Sequence, residues 1–125
     1  MRYFSLLILM ITSPLCFAEV FEVTKVERVD FYENRGFSLR RSNGQMAGYV
    51  IRESENLTYY NKVGMKVGDL LTHLNGNDLR VLVDIRKALV DLETAKSLSF
   101  TYIRDGWEAP EKALIEFSIR AESGE

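Results

Sequence analysis

The chain has 125 residues and a formal net charge of −2, from 16 basic and 18 acidic side chains, with one histidine and one cysteine. That length holds one domain, large enough to fold on its own apolar core. Mild acidity without a clustered basic face argues against nucleic acid as a partner, and so few histidines and cysteines exclude a zinc site or a disulfide.

Residues 1 to 18 stand apart from the rest. Arg2 is their only charged side chain, Phe4 to Ile11 is an apolar run, and Pro14 to Ala18 closes it. Cys16-Phe17-Ala18 places small residues at the two positions a signal peptidase reads, so cleavage is expected after Ala18. The apolar run is shorter than the roughly 20 residues of a bilayer span; retention as an uncleaved anchor is the alternative. Processing removes the only cysteine and takes the formal charge from −2 to −3. A periplasmic or secreted protein is the expectation, anchored in the inner membrane only if residues 1 to 18 stay in place.

Residues 19 to 25 read as an N-terminal extension, 26 to 120 as the folded domain and 121 to 125 as a polar tail. Val20 to Phe31, rich in valine and phenylalanine, reads as a strand that Asn34-Arg35-Gly36 breaks. Phe37 to Arg41 and Met46 to Arg52 are strands joined by a turn at Ser42-Asn43-Gly44. Glu53 to Val63 is a short helical region with Ser54 or Asn56 as caps. Asn56-Leu57-Thr58 also fits a glycosylation sequon.

The most informative stretch runs from Gly64 to Gly76, G-M-K-V-G-D-L-L-T-H-L-N-G. Gly64 is suited to the left-handed conformation that ends a helix. Gly68-Asp69 turns into a strand from Leu70 to Leu74, in which Leu71 and Leu74 both reach the core if the strand carries a small irregularity. Asn75-Gly76 favours positive backbone angles and so a second turn. Ile85, Ala88, Leu89 and Leu92 then recur at helical spacing from about Val83 to Leu92. Leu98, Phe100 and Tyr102 alternate on a strand, Arg104-Asp105-Gly106 turns, and Ala113, Ile115, Phe117 and Ile119 alternate on the last strand. The sum is an α+β fold of five or six short strands and two helices, a small sandwich or partly open barrel.

The string from Gly64 to Gly76, with the order of elements around it, resembles PDZ domains of bacterial envelope proteins over roughly Val26 to Ile119. Asn43-Gly44-Gln45-Met46-Ala47-Gly48-Tyr49, followed by that string, is similar to the periplasmic PDZ domain of the C protein of type II secretion systems. The resemblance implies a module that binds an extended segment or C-terminus of another envelope or secreted protein, as a component of or accessory to a secretion apparatus. A free-standing regulator or adaptor of a periplasmic protease is the second reading.

In that family the peptide lies between a sheet edge and the longer helix, with a terminal carboxylate held by backbone N–H groups of a glycine-containing loop. Arg35-Gly36-Phe37-Ser38-Leu39 resembles the loop and edge strand. Gly36 lets the backbone approach, Phe37 floors the pocket, Leu39 extends it and Arg35 adds charge. On the helix, Ile85 and Leu89 are expected to face the core, which leaves Leu82 and Arg86 to line the groove. Gly64, Gly68, Asp69, Leu71, Leu74, Asn75 and Gly76 are assigned to scaffold. Arg40, Arg41 and Arg52 read as a solvated local positive region.

An enzymatic role finds little support. His73 is the sole histidine and reads as a strand residue facing solvent, with no nucleophile elbow nearby. No G-x-x-x-x-G-K loop exists, so Gly64 and Gly68 do not form a phosphate cradle. No cofactor or metal is implied, and Trp107 and Tyr59-Tyr60 read as turn and helix packing.

Overall fold

The structure, a computed structural model, describes residues 16 to 120. Most of the expected signal segment and all of the polar tail lie outside the described residues. The elements are β1 (Cys16–Val23), α1 (Lys25–Asn34), β2 (Phe37–Ser42), β3 (Gln45–Ile51), α2 (Leu57–Lys62), β4 (Leu70–Leu74), β5 (Asn77–Asp78), α3 (Leu82–Thr94), β6 (Ser97–Ile103) and β7 (Glu111–Ile119). The strands form one sheet in the order β1-β7-β6-β4-β3-β2, with β5 attached to β4. Among the described residues only the β1–β7 pair is parallel.

The expected strand from Val20 to Phe31 is corrected: it is a strand only to Val23, then a helix. Thr24 supplies the reason. Its Oγ1 accepts from the Glu27 amide at 3.1 Å while Glu27 Oε1 accepts from the Thr24 amide at 2.8 Å. This capping box satisfies two of the donors that a helix start leaves open. The helix buries Arg28 and Phe31 and leaves Val26 and Val29 exposed, so these valines never belonged to a strand face. The segment from Glu19 to Lys25 thereby carries most of β1 and the start of α1.

The other periodicities translate directly into burial. Asn43 and Gly44 both take positive φ, 54° and 79°, the two-residue hairpin that matches strand twist. Leu98, Phe100 and Tyr102 are buried on β6, as are Ala113, Ile115 and Phe117 on β7. Ile119 departs from its alternation and is exposed. The β6–β7 ladder begins with Ser97 opposite Glu116, so the end of β7 runs past its neighbour.

The Gly64 to Gly76 segment builds the centre. α2 ends at Lys62, and Gly64 follows with φ 91°. The positive φ is what requires glycine at position 64; a Cβ there would also meet the exposed Phe17 ring at 2.9 Å in the unprocessed chain. Asp69 is buried and takes charge-assisted bonds from Arg104, Nε to Oδ1 at 2.7 Å and Nη2 to Oδ2 at 2.8 Å. The same Nη2 donates to the Gly64 carbonyl at 2.9 Å, and the Lys66 amide donates to Asp69 Oδ2 at 2.8 Å. One arginine thus pins the helix end, the turn and the start of β4 together. The irregularity expected in β4 is present as a register shift against β6 between Leu71 and His73, and it lets Leu71 and Leu74 both reach the core. Asn75 and Gly76 take φ 52° and 80°, and the Asn75 side chain accepts from the Ser99 amide at 2.6 Å and donates to the Ser97 carbonyl at 3.1 Å.

Candidate peptide-binding groove

The loop that feeds β2 is fixed from beneath. Arg35 and Gly36 both have positive φ, 49° and 90°, which turns the chain sharply from α1 into the strand. A Cβ on Gly36 would collide with Ser54 Oγ and sit 3.1 Å from Tyr60 Cε2, so only glycine fits. Asn56, nearly fully buried, donates through Nδ2 to the Phe31 carbonyl at 2.7 Å and the Arg35 carbonyl at 3.1 Å. The Tyr60 hydroxyl donates to the same Arg35 carbonyl. Burial pushes the Tyr60 phenol well above its ordinary pKa, which keeps the donated proton in place. Asn56 stands at the N-cap of α2 but makes no side-chain cap bond. Its amide is committed inside, so the sequon is closed to modification in the folded chain.

Among the described residues β2 lies at one end of the sheet and pairs only with β3. Its other side presents unpaired backbone groups, which is what an added strand requires. Beside it, Phe37 and Tyr49 on the sheet, Ile85, Ala88 and Leu89 on α3, and Phe100 line a narrow apolar cleft with a free volume of only about 10 Å³. Phe37 is half-buried and meets Tyr49 edge to face at 5.4 Å between ring centres. Aromatic packing fills most of this cleft, so an apolar side chain enters it only as Phe37 and Leu89 move apart.

Of the residues expected at the site, Phe37 lines the pocket and Gly36 forms the turn above it. Leu39 is 37% exposed and Ser38 is exposed, both on the edge strand. Leu82, 58% exposed, and Arg86 stand outside the pocket on the flank of α3. Arg35 is turned away: its Nε donates to the Tyr32 carbonyl at 3.3 Å, its Nη2 to the Tyr32 hydroxyl at 3.0 Å, and its guanidinium lies 4.8 Å over that ring. Its charge serves the end of α1, not the mouth of the loop.

Leu89 is the residue that sequence reasoning assigned to the core and the structure places in the pocket wall. At 100° per residue it lies about 40° around the helix from the buried Ile85, at the border of the apolar arc. Only the position of β2 decides that this border faces a groove. Ile85 itself is buried and forms part of the same wall.

His73 sits with Nδ1 3.0 Å from Thr72 Oγ1 and Nε2 4.0 Å from Asp78 Oδ2. The second distance exceeds a hydrogen bond, and Asp78 is instead held by Arg80 through Nε at 2.8 Å and Nη2 at 3.0 Å. Trp107 packs on the Arg104 guanidinium at 4.5 Å and near Tyr102 at 5.5 Å, so its turn is held by packing. Tyr59 and Tyr60 both stack edge-on against Phe31.

No protein-family model matches the chain. Among solved structures it is similar to the PDZ domain of EpsC from Vibrio cholerae, with a TM-score of 0.59 at 20% identity over 74% of this chain and 92% of that one. The chain has the PDZ fold. A second PDZ structure, from the pullulanase C protein of the type II secretion system of Klebsiella pneumoniae in complex with fatty acid, matches with a TM-score of 0.55 and 24% identity over 64% of this chain and 80% of that one. A probable periplasmic serine protease, do/HhoA-like, from Haemophilus influenzae is 29% identical over 72 residues, 58% of this chain. The chain spans only 15% of that protein's length. Within the PDZ fold, the open edge of β2 and the flank of α3 are the two walls where the resemblance led us to expect a peptide. Among the described residues no helix is long and apolar enough to cross a membrane.

Proposed function

We propose that this chain is an exported protein-interaction module that takes an extended segment or C-terminus of another envelope or secreted protein along β2. The observation that carries the reading is the coincidence of an unpaired strand edge with an apolar pocket formed by Phe37, Tyr49 and Leu89. Backbone pairing along the edge supplies affinity and the pocket selects one apolar side chain. Likeness to PDZ domains named for type II secretion proteins supports a role as component of, or accessory to, such an apparatus. The lining of the cleft is apolar and the Klebsiella domain was solved in complex with fatty acid, so a fatty acid is a competitor for these walls.

The similarity to part of a periplasmic serine protease favours a second reading, a regulator or adaptor of such a protease. Both readings use the same groove and differ in the partner. Replacing Phe37 and Leu82 together with aspartate is expected to abolish partner capture in intact cells, as read by reversible crosslinking, while the far-ultraviolet circular dichroism spectrum stays unchanged. Capture that survives the double change places the site elsewhere. Capture lost only when a fatty acid is added in excess identifies the lipid as a rival occupant.

A further inference from the structure

We infer that the groove selects an extended segment that carries acidic side chains at alternate positions to one side of an apolar anchor. The inference rests on the groove reading above and adds the chemistry of the occupant. The chain is acidic overall, with a formal charge of −2, yet both walls of the groove carry cations.

On the sheet side, residues opposite each other in paired strands point to the same face. Phe37 is opposite Ile51, Leu39 opposite Tyr49 and Arg41 opposite Met46, the last after a bulge between Arg40 and Arg41. Ile51 is buried, Tyr49 lines the pocket and Met46 packs on the core. Phe37, Leu39 and Arg41 therefore form one row on the α3 side of the edge strand. Successive members of such a row are about 7 Å apart, the spacing of alternate side chains on an added strand.

On the helix side, Arg86 falls on the same flank as Leu82 and Leu89 by helical spacing. The acids of α3 are committed elsewhere. Asp84 Oδ2 accepts from the Asp78 amide at 3.2 Å, Asp91 Oδ2 accepts from Asn75 Nδ2 at 3.3 Å, and Glu93 places its charge near Arg28. Ion pairs among the described residues involve His73, Arg80, Arg104 and Arg120, so neither Arg41 nor Arg86 has an anionic partner there. With Arg35 held on Tyr32, positive charge lies along the groove and not at its loop end. This distribution complements carboxylate side chains spaced along the occupant, and it raises their capture rate as well as fixing their register.

The test is a selection of ten-residue peptides from a random library on the full chain, repeated with Arg41→Glu/Arg86→Glu and with Phe37→Asp. The expected result is peptides with Asp or Glu at alternate positions to one side of an apolar residue, with Lys or Arg replacing them when the double charge reversal is the bait. Exchanging both acids of a selected peptide for lysine weakens it about tenfold at low salt, and the gap narrows as salt rises. Peptides that depend on Phe37 but carry no acidic preference, or that are the same for the charge-reversed bait, overturn this inference and leave the groove standing. Recovery of no peptide, or of peptides indifferent to Phe37→Asp, overturns the groove reading as well.

Discussion

The Gly64 to Gly76 segment and the groove between β2 and α3 share Leu71 and Leu74, yet they are built on opposite rules. In the first, the buried carboxylate of Asp69 receives bonds from Arg104 Nε, Arg104 Nη2 and the Lys66 amide, and Leu71 and Leu74 are closed off from water. In the second, Phe37 is half-buried, Leu39 and Leu82 are exposed, the strand edge is unpaired and the flanking cations have no ion partners among the described residues. A satisfied region has nothing left to offer a partner. The unsatisfied one has stability to gain from being covered.

The comparison is tested most severely by removing Asp69. Asp69→Ala leaves Arg104 without its carboxylate beside a buried carbonyl and is expected to lower stability by about 3 kcal/mol, read as a lower urea midpoint at unchanged slope. Peptide affinity of the protein that remains folded should stay within about twofold, because no atom of Asp69 reaches the groove. A loss below about 1 kcal/mol would mean that the latch does not hold the centre together.

Asn56 sits between the two regions and sharpens the contrast. Asn56→Ala removes donors from the Phe31 and Arg35 carbonyls, an expected loss of about 2 kcal/mol. It also loosens the turn that sets β2 against α3, so affinity should fall with stability, which separates this residue from Asp69. Equal affinity for the wild type and Asn56→Ala would show that the loop is not positioned from below.

A smaller effect belongs to Asp78, outside the groove. The side-chain hydrogen bonds from Arg80 hold its carboxyl down to about 2. A depressed folded-state value adds stability that is complete above about pH 4, where the unfolded carboxyl ionises, and is lost as pH falls towards 2. The pair is partly exposed, so about 1 kcal/mol is expected. Asp78→Asn should remove that increment at neutral pH and flatten the acid side of the stability profile between pH 4 and 2. An unchanged acid limb would assign the loss to other carboxylates.

Much of the architecture was legible because each late strand alternates cleanly and each turn announces itself. Leu98, Phe100 and Tyr102 on β6 need only a period of two, and Asn43-Gly44 and Asn75-Gly76 need only positive φ. The N-terminal helix was missed because valine and phenylalanine content outweighed a local signal, the Thr24-x-x-Glu27 capping box. The parallel pairing of β1 with β7 joins residues 96 positions apart, such as Cys16 and Lys112, and no local pattern encodes such a partner. The groove was half legible for the same reason. Gly36 and Phe37 were proposed from their likeness to a PDZ loop and edge strand, whereas Leu89 joins the cleft only through the long-range position of β2. The commitment of Arg35 to Tyr32 is local, but it depends on α1, which the strand reading had removed.

The central claim is that an extended occupant adds to β2 beside Leu89. Residue-resolved amide hydrogen exchange, on the wild-type chain with and without a library-selected peptide, tests it directly. Slowed exchange confined to alternate amides of Phe37–Ser42, with shifted methyl resonances at Leu89, is the predicted result. Protection centred on β1, or on the turn around Trp107 with β2 unchanged, would contradict it.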